Sequence, residues 1–90
     1  MTSEEALIFI QSATQWEFTT HAVERMSMRG ATKADVRHAI TNAESCEASE
    51  TRAGAWLVSG LDRDDEPLTV SVVIEFILTG HTRNVIITVF

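Results

Sequence analysis

The stretch Leu68-Thr69-Val70-Ser71-Val72-Val73-Ile74-Glu75-Phe76-Ile77-Leu78 decides the fold. Six apolar residues, Leu68, Val70, Val72, Ile74, Phe76 and Leu78, recur there at strict period two. Side chains of a strand alternate between its two faces, so the spacing predicts an antiparallel strand with one face on a core and the other partly solvated. Thr79-Gly80-His81-Thr82-Arg83-Asn84 then reads as a hairpin loop and Val85 to Phe90 as the returning strand. Upstream, Ala55 to Leu61 around Trp56-Leu57-Val58 is a further strand, Leu61 to Pro67 a charged loop, and Glu44 to Glu50 an edge strand or a loop.

Toward the N-terminus the periodicity becomes helical. Thr2 with Glu5 forms a capping-box pattern that opens a helix from Ser3 to about Ala13. Ala6, Phe9, Ile10 and Ala13 recur at helical spacing, and Leu7 and Ile8 widen the stripe toward near-complete burial. Trp16 and Phe18 alternate with Gln15 and Glu17, the mark of a short extended segment. Thr19 or Thr20 can cap a second helix, His21 to Arg29, with Ala22, Val23 and Met26 inward and Gly30 at its end. Thr32 with Asp35 opens a third, to about Asn42, with Val36, Ala39, Ile40 and Ala43 facing the core. Residues 1–90 thus read as one α+β domain, two to three N-terminal helices packed on a three- to four-stranded antiparallel sheet.

With 44% hydrophobic and 22% charged residues and a single proline, the composition is that of an ordered globular chain. Cys46 stands alone, so no intramolecular disulfide forms and no paired-cysteine zinc or redox spacing exists, which favours a reducing compartment. The N-terminus is acidic where a signal peptide needs positive charge, and Leu7 to Ile10 is too short to span a bilayer. The expected setting is the cytoplasm, away from membranes. A net charge of −6 repels polyanions at long range and weighs against a general nucleic-acid binder. Within residues 20–40, however, Arg25, Arg29, Lys33 and Arg37 outnumber Glu24 and Asp35, a local balance of +2 against −8 elsewhere.

That island carries a resemblance. His21-Ala22-Val23-Glu24-Arg25-Met26-Ser27-Met28-Arg29-Gly30 resembles the signature His-Ala-x-x-Arg-Met-x-x-Arg-Gly of the bacterial domain-of-unknown-function family 4258, generally grouped with the RelE-like toxin superfamily. Weaker similarity follows in the helix opening at Thr32, in Gly60 to Leu68 and in Val85 to Val89, so it spans roughly residues 16 to 90. The resemblance implies a helix-then-curved-sheet, RelE-like fold. By analogy it also implies metal-independent RNA cleavage, with an antitoxin-like protein as partner.

Read as residues, His21, Arg25 and Arg29 lie at i, i+4 and i+8, so successive side chains shift by only about 40° around a helix. The row sets an imidazole, a group that can give or take a proton, beside two permanent cations. Cleavage through a ribose 2′-hydroxyl needs a base, an acid for the leaving oxygen and fixed positive charge on the phosphorane. On this hypothesis the catalytic set is His21 as acid or base with Arg25 and Arg29 on the phosphate. Arg37 and Arg83 are the assisting substrate-binding residues, and Glu24 or Glu75 is the second proton carrier. The plainer alternative is that His21 packs at its helix start and the arginines make surface pairs with Asp35 or Glu24.

His38 reads as a solvated helix residue and His81 as part of a hairpin tip. The three histidines and Cys46 lack the spacing of a metal motif, and no cofactor, nucleophile or phosphate-loop motif occurs. Trp16 and Trp56 suit core or interface anchors, and Asp62 to Glu66 a solvated loop rather than a calcium site. Two functional classes follow, a ribonuclease toxin of a toxin–antitoxin pair and a non-catalytic interaction or regulatory module. A sheet edge that can accept a strand opens homodimerisation as well.

Overall fold

The computed structural model describes residues 1–90. Three helices, α1 (Ser3–Gln11), α2 (Thr20–Arg29) and α3 (Lys33–Asn42), cover one face of a five-stranded sheet. Its strands are β1 (Gln15–Phe18), β2 (Cys46–Ala48), β3 (Ala55–Leu61), β4 (Pro67–Leu78) and β5 (His81–Val89). Both expected capping boxes form, Thr2 with Glu5 and Thr32 with Asp35, and Thr19 caps α2 by accepting the Ala22 N–H. Gly30 ends α2 in the left-handed region at φ 69°, donating to the carbonyls of Met26 and Ser27. No helix is long and apolar enough to cross a membrane.

The strands run in the order β1-β5-β4-β3-β2, and the sheet is mixed, not antiparallel throughout as expected. The short Trp16 to Phe18 segment is its fifth strand, and it lies parallel to β5 with Trp16 opposite Asn84 and Phe18 opposite Ile86. A parallel pair needs a long crossover, and here α2, α3 and three strands intervene, so no neighbouring residues announce it.

Thirteen buried residues form one core between the helices and the sheet, from Ile10, Met26, Val36 and Ile40 above to Val58, Leu68, Val70, Val72 and Ile86 below. A bulge interrupts the β4–β5 ladder, because Ser71 pairs with Thr88 but Val72 with Ile86, leaving Ile87 as the extra residue. The Thr19 hydroxyl lies 3.0 Å from the Ile86 carbonyl and 3.1 Å from that of Ile87, so the residue that caps α2 also satisfies the bulge. At Gly60 of β3 the helix comes so close that an added Cβ would stand 1.9 Å from the Ala39 carbonyl oxygen.

Three further expectations are corrected. Ile8 and Val23 are exposed at 66% and 45%, because each lies off the narrow stripe with which its short helix meets the core. Phe76 and Leu78, the last two of the six alternating residues, are exposed because β4 outruns the helix layer, from which Phe9 meets Phe76 edge to face at 5.2 Å. The hairpin is also tighter than expected. Thr79 and Gly80 make the turn, β5 starts at His81, and Thr82 and Asn84 are buried strand residues.

Those polar residues serve a helix end. The last carbonyls of a helix have no partner within it. Asn84 Nδ2 donates to the Ile10 carbonyl at 2.8 Å, and Thr82 Oγ1 to that of Phe9 at 3.4 Å. Gln11 Nε2 does the same for α3, reaching the carbonyls of Ile40 at 3.1 Å and Ala43 at 2.8 Å.

Candidate functional site

Packing sets the direction of α2. Ala22 and Met26 are buried against the sheet, which turns His21 and Arg25, each one position earlier, and Arg29, one turn beyond Arg25, to the flank of the helix. His21 and Arg29 are exposed and Arg25 is half-buried. Arg29 Nη2 donates to the Pro67 carbonyl at 3.2 Å, tying the end of the row to the start of β4.

None of these cations is neutralised. The only ion pair in the structure joins Arg83 to Glu75. Surface pairing of the α2 arginines with Asp35 or Glu24 does not occur. Asp35 is engaged elsewhere: its carboxylate accepts from the Thr32 N–H at 2.9 Å, the Thr32 hydroxyl at 3.0 Å and the Arg63 N–H at 3.3 Å. Hydrogen bonds from the Thr32 backbone and side chain, with help from Arg63, hold its pKa below the usual aspartate value.

Two more cations come from α3. Lys33 Nζ sits 5.2 Å from the centre of the Phe18 ring, and the Arg37 guanidinium 5.4 Å from that of Trp16. The two rings are themselves stacked, 6.5 Å apart and 18° from parallel. Cations at i and i+4 on a helix thus match aromatics at i and i+2 on a strand. Lys33 was not among the expected site residues, and only the pairing of β1 with β5 explains its position.

Arg83 stands apart. Thr82 and Asn84 face the helices, so Arg83 between them points to the other face, where it pairs with Glu75 and donates to Gln15 Oε1 at 3.0 Å. It does not converge with His21, Arg25 and Arg29, and Glu75 is removed with it as a second proton carrier. Glu24 stays on α2, exposed and three residues from His21, a spacing at which side chains are neighbours on a helix surface.

The remaining titratable side chains lie elsewhere. His38 is exposed on α3, and His81 Nδ1 lies 3.5 Å from Thr14 Oγ1 at the hairpin. Cys46 is half-buried with Sγ 3.2 Å from the Ser3 carbonyl, and burial raises its pKa. Asp62 Oδ1 accepts from the N–H groups of Asp64 and Glu66, which folds the acidic loop onto itself. The geometry therefore offers a row of unpaired cations beside one imidazole, an arrangement suited to holding phosphate groups.

Residues 18–90 match the family described as a domain of unknown function, DUF4258. This chain belongs to the DUF4258 family. No curated protein matches it, and no solved structure does. The DUF4258 match takes in α2, α3 and β2 to β5, with the whole row on α2, whereas α1 and most of β1 precede it. Of the two stacked aromatics, Phe18 is the first matched residue and Trp16 lies before it.

Proposed function

We propose that this DUF4258 protein is a RelE-like bacterial ribonuclease toxin that binds RNA along α2 and α3 and cleaves it without a metal ion, held in check by an antitoxin-like partner. One observation carries the proposal: His21, Arg25 and Arg29 form a continuous row in which no cation is paired with a carboxylate, in a protein of net charge −6. Cations left without partners in an acidic protein are available to an anionic ligand. In the proposed reaction His21 exchanges the proton, Arg25 and Arg29 stabilise the phosphorane, and Arg37 extends the contact along the RNA. Glu24 is the second proton carrier on this reading, being the one of the two acids on the same helix.

The test is a growth and RNA-integrity assay with the native protein, His21→Ala and Arg25→Ala. Native protein is expected to arrest growth and fragment RNA. His21→Ala should abolish fragmentation while still binding RNA, and Arg25→Ala should weaken both. Removing one phosphate contact should also lower the slope of log affinity against log salt by about 0.7 for a single strand. Intact RNA and normal growth with soluble, folded native protein would refute the proposal. The alternative, a non-catalytic interaction or regulatory module, is supported by the placement of Arg83 and Glu75 on the opposite face of the sheet from α2.

A further inference from the structure

The helices cover one face of the sheet, and nothing in the chain covers the middle of the other. Strand alternation places Leu57, Val73 and Val85 there, and all three are partly exposed and outside the core. Register aligns them. Val73 lies opposite both Ala55 and Val85, and Leu57 lies opposite Ser71, one pleat from Val73 on the same face. Ala55 and Ser71 are buried small residues that leave the three larger side chains standing clear as a diagonal stripe.

Each end of the stripe carries a carboxylate. Glu47 on β2 is opposite Leu57, and Glu17 on β1 is opposite Val85. Both are exposed and neither is in an ion pair. The one cation on this face, Arg83, is already neutralised by Glu75. From edge strand to edge strand is four spacings of about 4.8 Å, roughly 19 Å, the length of about 13 helical residues.

We propose that this face docks a basic amphipathic helix from another protein, its apolar stripe on Leu57, Val73 and Val85 and its terminal cations on Glu47 and Glu17. The charge pattern selects that occupant. A second copy would bring a like-charged rim and a further net charge of −6 against the same acidic edges, and a nucleic acid would meet two unpaired carboxylates. A helix laid across strands suits this sheet, since on the opposite face α3 packs on β3 and β4 while its Lys33 and Arg37 reach the aromatics of β1. The proposal is independent of RNA cleavage, which uses α2 and the other face.

A synthetic 18-residue peptide with leucines on one helical face and lysines at both ends is the probe, with a glutamate-ended version as control. Binding to the full 90-residue chain is followed by fluorescence anisotropy and mapped by amide chemical shifts. Saturable binding of the lysine peptide is expected, with shifts centred on Leu57, Val73 and Val85, and none for the glutamate peptide. Glu17→Gln and Glu47→Gln, both surface changes, should each weaken it about two- to fivefold. Val73→Glu should abolish it, with circular dichroism reporting whether that variant folds. Equal affinity for the two peptides, no saturable binding, shifts confined to α2 and α3, or a dimer in sedimentation that Glu47→Gln strengthens would each overturn the proposal.

Discussion

Asn84 Nδ2 donates to the Ile10 carbonyl at 2.8 Å, so a side chain of the last strand caps the first helix. Its own Oδ1, fully buried, has no partner. The fold therefore uses its donor and not its acceptor. Asn84→Ala should leave the Ile10 carbonyl with only the long 3.5 Å bond from the Ala13 N–H and lower stability by about 0.5–1.5 kcal/mol. Urea denaturation checks it; a change under about 0.5 kcal/mol would show that the cap contributes nothing.

Gly60→Ala tests the contact between α3 and β3. The new Cβ would overlap the Ala39 carbonyl oxygen, a backbone atom that cannot swing aside, so helix and strand must separate. Overpacking of this kind destabilises by about 1–3 kcal/mol. For a domain of this size, thermal unfolding should then shift down by about 4–8 °C per kcal/mol.

Asp35 makes stability depend on acid. Its folded pKa lies below the ordinary value of 3.8, so the carboxylate stabilises the fold fully above that value and progressively less as pH falls through the depressed one. Asp35→Asn keeps an acceptor for Thr32 but has no charge to lose. At neutral pH the native protein should be the more stable of the two, and the gap in urea midpoint should narrow as pH drops below 3.8. A gap independent of pH would contradict the assignment.

Arg37 and Trp16 should be coupled. A double-mutant cycle with Arg37→Gln and Trp16→Leu is expected to return about 0.5–1 kcal/mol for their contact, the range for a cation over an aromatic ring at a solvent-exposed site. Additive effects would mean that the guanidinium merely passes the ring.

Much of this architecture is written locally. Threonines three residues ahead of Glu5 and Asp35 mark two helix starts, Gly30 marks a helix end, the apolar run Trp56-Leu57-Val58 marks β3, and alternation marks β4. What eluded the sequence is non-local. Thr82 and Asn84 look like loop residues because their polarity serves carbonyls of α1 more than seventy residues away. Trp16 and Phe18 find their strand and their cations only after the chain has folded back. The row on α2 was legible because helical spacing is local, whereas the separation of Arg83 from it depends on which face of β5 each side chain occupies.

The parallel pairing of β1 with β5 also imposes a schedule. Gln15 meets Arg83 sixty-eight residues later in the chain. At a synthesis rate of about 5–20 residues per second, roughly 3–14 s separate the two on the ribosome. Throughout that interval Trp16 and Phe18 have no strand to lie against. The last strand made is the one that latches the first, and the emerging chain carries an unprotected aromatic pair until it arrives.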